Sequence, residues 1–135
     1  MSDILVSGAS GFIAKHLIPK LIEAGHTVNQ IDIESGDISD EKTWLNLPGS
    51  DILIHLAGIT YVPNSWEQPL SYFKSNLIGT IAALNYCIGH SARMVFLSSY
   101  LYGNPSKLPI NENDSGYFSF KDIFKKSPSV IFPIS

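Results

Sequence analysis

The chain has 135 residues, of which 16% are charged and 44% hydrophobic, and a formal net charge of −3. That is length enough to bury a core, and the charge is too small and of the wrong sign to argue for nucleic acid or an anionic membrane surface. Cys87 is the only cysteine, which excludes an internal disulfide, and no apolar run reaches the roughly 18 residues of a membrane span.

Asp3-Ile4-Leu5-Val6 is a short apolar run that predicts a buried strand over Asp3–Ser7. A chain that opens on a strand, not on a charged and apolar leader, sets the expectation of no signal peptide and of a reduced, cytoplasmic setting. The run leads into Ser7-Gly8-Ala9-Ser10-Gly11-Phe12-Ile13-Ala14, and Ile13, Leu17, Leu21 and Ile22 then fall on one helical face. A helix is predicted from roughly Gly11 to Ala24, ending at Gly25, with Pro19 set to kink it or shift its register. Strand, glycine turn and helix together hold a pyrophosphate. Gly8 permits a tight turn with positive φ, Gly11 lets the backbone approach the phosphates, and Ala14 supplies the third small position. The free N–H groups of the helix then face the anion. Gly8, Ser10, Gly11, Phe12 and Ile13 are therefore candidate cofactor-binding residues; the competing reading is an ordinary strand-to-helix turn.

The spacing Gly-x-x-Gly-x-x-Ala after an apolar strand resembles the start of the short-chain dehydrogenase/reductase superfamily. Ser-Gly-Ala-Ser-Gly-Phe-Ile-Ala is most similar to its extended branch, the NAD-dependent epimerase/dehydratase family acting on nucleotide sugars. The resemblance implies a Rossmann-type, doubly wound parallel α/β fold, a nicotinamide dinucleotide, and a nucleotide-sugar substrate, and it is compatible with a homodimer. No metal site is assigned.

Thr27–Asp32 reads as the second strand, weakened by Asn29 and Gln30. Asp32 ends it about twenty residues past the glycine turn, where a carboxylate accepts from both ribose hydroxyls and repels a 2′-phosphate. That favours NAD over NADP; the alternative is a solvated acidic loop. Gly36-Asp37-Ile38-Ser39-Asp40 follows after only Ile33, Glu34 and Ser35, where doubly wound folds usually insert another helix and strand. By resemblance Asp37 contacts the adenine amino group and Ile38 packs on the ring, and the short link is similar to that of dTDP-4-dehydrorhamnose reductases. A helix N-cap is the competing role for this stretch, with Ser39 or Asp40 equally able to cap a helix over Glu41–Leu47.

Asp51–Leu56 is apolar on both faces, as a central parallel strand is. Leu56-Ala57-Gly58 matches the family's passage under the cofactor, where small residues leave room; His55 is expected to point into the sheet. Ile59–Pro69 is a loop at the carboxyl end of that strand. Leu70 to Gly89 predicts a long helix, with Leu70, Phe73, Leu77, Ile81, Leu84 and Ile88 as its core face. Within it Asn76-Leu77-Ile78-Gly79-Thr80 matches Asn-x-x-Gly-Thr of the family, which makes Asn76 a brace for the catalytic region and Gly79 a site of close helix packing.

Arg93–Leu97 is the fourth strand. Ser98-Ser99-Tyr100-Leu101-Tyr102-Gly103 resembles the family's Ser-Ser-x-x-Val-Tyr-Gly, which maps the catalytic hydroxyl onto Ser98, with Ser99 adjacent as the alternative. Tyr117-Phe118-Ser119-Phe120-Lys121 has the Tyr-x-x-x-Lys spacing of the catalytic pair without the usual preceding proline. By resemblance Tyr117 is the acid/base and Lys121 lowers its pKa. Asp122 to Lys126 predicts two helical turns and Val130-Ile131-Phe132 a last strand. The expectation is one NAD(P)-binding Rossmann-like domain over residues 1–135, ending before the C-terminal lobe that grips the sugar nucleotide. Its function is NAD binding in a nucleotide-sugar epimerase, dehydratase or reductase that transfers hydride at a sugar carbon, the isolated chain being inactive. The alternative is a catalytically inactive dinucleotide-binding module.

Overall fold

The computed structural model describes residues 1–98. Four strands form one sheet: β1 (Asp3–Ser7), β2 (Thr27–Ile31), β3 (Ile52–His55) and β4 (Arg93–Phe96), in the order β2-β1-β3-β4. All three pairings are parallel, with Leu5 opposite Asn29 on one side and Leu53 on the other, and Leu53 opposite Met94. Ile4, Leu5 and Val6 are all buried, so β1 is covered on both faces. Successive side chains of a strand alternate between faces. Ile4 and Val6 meet Ala14 and Ile18 of α1 (Phe12–Glu23) on one side. Leu5, Ile31, Leu53 and Met94 meet Trp44, Ala82, Ala83, Tyr86 and Cys87 on the other. That second layer is made by α2 (Glu41–Leu45) and by α4 (Gly79–His90), which continues from α3 (Pro69–Tyr72) through a π-helical turn at Phe73–Ile78. Helices on both faces of a parallel sheet make this a doubly wound, Rossmann-type fold, as the glycine turn implied.

Strand and helix bounds agree with the sequence to within a residue or two. Pro19 removes one N–H from α1, yet the helix runs through to Glu23 and ends at Gly25, whose φ is +85°. Between β2 and the Asp37 turn there is only a 3₁₀ turn, Ile33–Ser35.

One expectation is overturned. Of the predicted core face, Leu70, Phe73, Leu77, Ile81 and Ile88 are exposed, from 45% at Ile81 to 71% at Ile88, and only Leu84 packs, partly buried, against the core. The face toward the sheet is Gly79, Ala82, Ala83, Tyr86 and Cys87, again at helical spacing. Two physical reasons favour it. The π-helical turn rotates the residues before it relative to those after it, so a single 3.6-residue period does not run through the whole segment. The helix also lies close to the layer beneath at its start, where a Cβ at Gly79 would stand 2.8 Å from the Ile38 Cδ1, so this position takes glycine.

Candidate functional site

The chain leaves β1 toward β2 and later returns past β1 to reach β3. The loops after β1 and β3 therefore part in opposite directions at the carboxyl edge of the sheet, which opens a crevice where doubly wound folds bind ligands. The glycine loop and Leu56-Ala57-Gly58 meet at this point. Gly8 has φ +74°, and a Cβ there would lie 2.8 Å from the Ala57 nitrogen and 2.9 Å from its Cα. Its N–H donates to the Ile31 carbonyl at 2.9 Å, and the Gly11 N–H donates to the Gly8 carbonyl at 3.0 Å, so the loop is fixed by its own backbone. No side chain caps α1 at Gly11. The opening N–H groups, at Phe12 and Ile13, thus have no capping oxygen, and both side chains lie exposed beside them. This is the uncapped, glycine-lined helix start that an anion occupies.

Asp32 stands directly past β2 and reaches back to the loop. The Ser10 N–H donates to Oδ2 of Asp32, while Oδ1 accepts the Ile33 N–H at 2.7 Å and caps the 3₁₀ turn. The Ser10 hydroxyl first, then these backbone donors, hold the Asp32 carboxyl below the usual range. A charged carboxylate is therefore fixed beside the glycine loop. Asp37 accepts both the N–H and the hydroxyl of Ser39 on Oδ1, each at 2.8 Å, and these two bonds depress its pKa. The N-cap of α2 is Asp40, which accepts from the Lys42 N–H at 3.0 Å, so Asp37 is not needed as a cap. Ile38 is buried beneath Gly79, and its carbonyl accepts the Trp44 indole N–H at 2.8 Å.

Asn76 sits in the π-helical turn and clamps the loop after β3. Its Oδ1 accepts the Ile59 N–H at 2.7 Å and its Nδ2 donates to the Ile59 carbonyl at 2.9 Å. π-turns of this kind recur where one side chain has to be re-aimed from a helix. The family motif pointed to Asn76 as a brace; its partner, Ile59, is visible only in the fold. Ser98 is half-buried, just past the end of β4 and so at the same carboxyl edge as the crevice. Tyr117 and Lys121 lie outside the described residues.

Sequence reasoning found no partner for His55, and the structure supplies two. The ring is 1% exposed, with Nδ1 2.7 Å from the Ser7 Oγ and Nε2 3.4 Å from the Thr80 Oγ1. Burial pushes its pKa down from the ordinary 6.5 to about 4. The unfolded chain thus takes up this proton near pH 6.5, the folded chain only near pH 4. Stability is then fully present above pH 6.5 and falls as the pH drops toward 4, by about 3 kcal/mol in total. Urea unfolding at a series of pH values between 7.5 and 4 checks this; a flat profile over that range contradicts it. Asp32 and Asp37 contribute their own losses only below their ordinary value of 3.8. Cys87 is buried and its thiol is pushed up to about 11, which leaves it protonated and unreactive.

Comparison with known proteins agrees with this geometry. Residues 4–122 match the model of the NAD dependent epimerase/dehydratase family. A UDP-glucose 4-epimerase of Halalkalibacterium halodurans is 32% identical over 130 aligned positions, covering 82% of this chain and 39% of the relative. The UDP-glucose-4-epimerase of Stenotrophomonas maltophila, solved with bound NAD and formylated UDP-arabinopyranose, superposes with a TM-score of 0.74 at 29% identity, covering 86% of this chain and 43% of that one. A dTDP-4-dehydrorhamnose reductase from Clostridium acetobutylicum shares the fold, with a TM-score of 0.76 at 24% identity over 84% of this chain and 42% of that one. The chain spans about two fifths of the length of the curated relatives it matches. Over that span the glycine turn, the switch-point crevice and the family match all fall on the same residues, and the chain belongs to the NAD-dependent epimerase/dehydratase family.

Proposed function

We propose that the chain binds NAD(H) in the crevice between β1 and β3 and is the cofactor-binding part of a nucleotide-sugar epimerase, dehydratase or reductase. The observation that carries this reading is the contact of Gly8 with Ala57 beneath the uncapped start of α1: a cradle that a single Cβ would fill. Gly8, Ser10, Gly11, Phe12 and Ile13 hold the pyrophosphate, Asp32 the adenosine ribose, and the Asp37-Ile38 turn borders the adenine. Leu56, Ala57 and Gly58 form the floor, kept in place by the Asn76 clamp. The cofactor supplies the hydride chemistry. Ser98 orients and polarises the reacting sugar oxygen, Tyr117 moves its proton, and Lys121 keeps the tyrosine pKa low enough for that exchange. Solved relatives carrying NAD or NADP support a nicotinamide cofactor. The Asp32 carboxylate supports NAD, since a 2′-phosphate beside it would be repelled. The exposed apolar stripe Leu70, Phe73, Leu77, Ile81 and Ile88 supports a homodimer as the working form. No helix among the described residues is long and apolar enough to cross a membrane, and a cytoplasmic enzyme fits that.

Titration of NADH and NADPH, followed by nicotinamide fluorescence, tests the cofactor assignment. The unmutated chain is expected to prefer NADH by about tenfold or more. Asp32→Ala is expected to weaken NADH several-fold and to narrow the gap. Equal or tighter binding of NADPH by the unmutated chain contradicts the role of Asp32. A dinucleotide-binding module without catalysis is separated from an enzyme by incubating the chain with NAD(H) and UDP-, GDP- and dTDP-sugars. Steady conversion that Tyr117→Phe removes supports the enzyme.

A further inference from the structure

The crevice is held shut at its base by a line of buried hydrogen bonds that begins in α4 and ends under the glycine loop. The Thr80 hydroxyl donates to the Asn76 carbonyl at 2.7 Å. A hydroxyl has one proton, so toward His55 the Thr80 oxygen acts as an acceptor, and Nε2 of the ring is the nitrogen that carries hydrogen. The other nitrogen, Nδ1, is then the acceptor, and Ser7 donates to it at 2.7 Å. That leaves the Ser7 oxygen to accept the Ala57 N–H at 3.4 Å. Every donor in the line has one acceptor, and the order is fixed by the proton that Thr80 has already given away. The last two members, Ser7 and Ala57, stand on either side of the crevice. Ser7 is the last residue of β1 and immediately precedes Gly8, while Ala57 is the backbone that Gly8 touches. Trp44 and Phe96 lie against the ring, with centroids 6.3 Å and 6.0 Å from it. With the residue 1% exposed, the ring is enclosed by protein and each nitrogen faces one of the two hydroxyls.

We infer that His55 is a positioning residue of the cofactor site: held as the neutral Nε2–H tautomer between Thr80 and Ser7, it sets the spacing of the loops that leave β1 and β3. The inference rests on the cofactor reading above and deepens it. His55 touches no cofactor atom itself. It acts through Ser7, whose oxygen holds Ala57 at the distance from Gly8 that leaves the phosphate loop open to its ligand. Packing alone would be satisfied by any flat ring at this position; the hydrogen-bond order would not.

The test uses the full chain, with two readouts. The first is the ¹⁵N spectrum of the His55 imidazole at neutral pH, which needs no cofactor. A protonated Nε2 and an unprotonated Nδ1 are expected, and the reverse pattern overturns the relay. The second is NADH affinity by fluorescence, alongside the thermal midpoint. His55→Phe keeps a ring against Phe96 and removes both nitrogens, and is expected to weaken NADH by about tenfold. His55→Asn, whose Oδ1 can take the place of Nδ1 as acceptor from Ser7, is expected to recover most of that loss. A folded His55→Phe that binds NADH as the unmutated chain does overturns the positioning role. If His55→Phe does not fold, Thr80→Val, at a partly exposed site, takes its place. It removes the acceptor that fixes the tautomer, and mixed tautomers with weaker NADH binding support the relay, whereas an unchanged spectrum and affinity overturn it. An unmutated chain that binds no NADH while showing the Nε2–H signature refutes the cofactor reading, and the positioning role with it. Normal NADH binding by both the unmutated chain and His55→Phe refutes the positioning role alone.

Discussion

Gly8→Ala is expected to remove NADH binding almost entirely, with affinity falling by about a hundredfold or more, close to 3 kcal/mol. The smallest possible side chain already fails here, for two separate reasons. The residue has φ +74°, which costs a non-glycine residue about 1–2 kcal/mol. The added Cβ would also press to within 2.8 Å of the Ala57 nitrogen and 3.0 Å of the Leu56 carbonyl carbon. Those are backbone atoms running straight out of β3 and cannot swing aside as the end of a side chain can. Relief comes only from pushing the loops of β1 and β3 apart, which is the movement that destroys the crevice. Gly25→Ala is the control. It has the same conformational strain, at φ +85°, but nothing lies within 4 Å of its Cβ. It is expected to cost about 1 kcal/mol of stability and to leave NADH affinity unchanged. If the two variants behave alike in fluorescence titration, the close approach at Gly8 has no part in binding.

Trp44→Ala is expected to carry the largest loss of stability, about 3–5 kcal/mol, from a domain whose total is about 5–15 kcal/mol. Trp44 is buried in a short helix and packs on Tyr86 and His55, with ring centroids 5.7 Å and 6.3 Å away. Truncation leaves a cavity between the sheet and α4. It also leaves the Ile38 carbonyl without its indole donor, so the turn that carries Asp37 loses one of the hydrogen bonds that hold it. Trp44→Phe keeps most of the packing and loses the hydrogen bond, at about 1–2 kcal/mol. Urea midpoints of the three proteins check the order, and a Trp44→Ala chain with an unchanged midpoint refutes it. NADH affinity is expected to fall with Trp44→Ala by more than stability alone requires, since the turn at Asp37 and Ile38 borders the proposed adenine site.

Much of the site was legible because it is local. Gly8, Gly11 and Ala14 work through backbone freedom and close packing within one strand–turn–helix unit, and that unit spans consecutive residues. The place of Asp32 at the end of β2 was legible because the length of one βαβ unit fixes how far along the chain the second strand ends. Ser10 was assigned to the cofactor by its place in the glycine turn, but its bonds to Asp32 were not, because they join residues whose separation along the chain has no fixed relation to their separation in space.

The amino-acid sequence by itself determined the four parallel strands, the glycine turn, the bounds of the helices and the family. The strands and helix bounds follow from runs of apolar residues and the glycine turn from a backbone conformation that favours glycine, while the family came from the resemblance of consecutive motifs to known members. The tertiary structure alone decided which side of α4 is buried. Both Leu70-Phe73-Leu77-Ile81-Leu84-Ile88 and Gly79-Ala82-Ala83-Tyr86-Cys87 are spaced as a helix face, and hydrophobicity favours the first, of which only Leu84 reaches the core. The choice went to the second set because Gly79 approaches Ile38 too closely for a side chain, and because a π-helical turn breaks the register of the first one. It also decided the role of His55, whose partners Ser7 and Thr80 come from β1 and α4 and meet it only when the sheet is assembled.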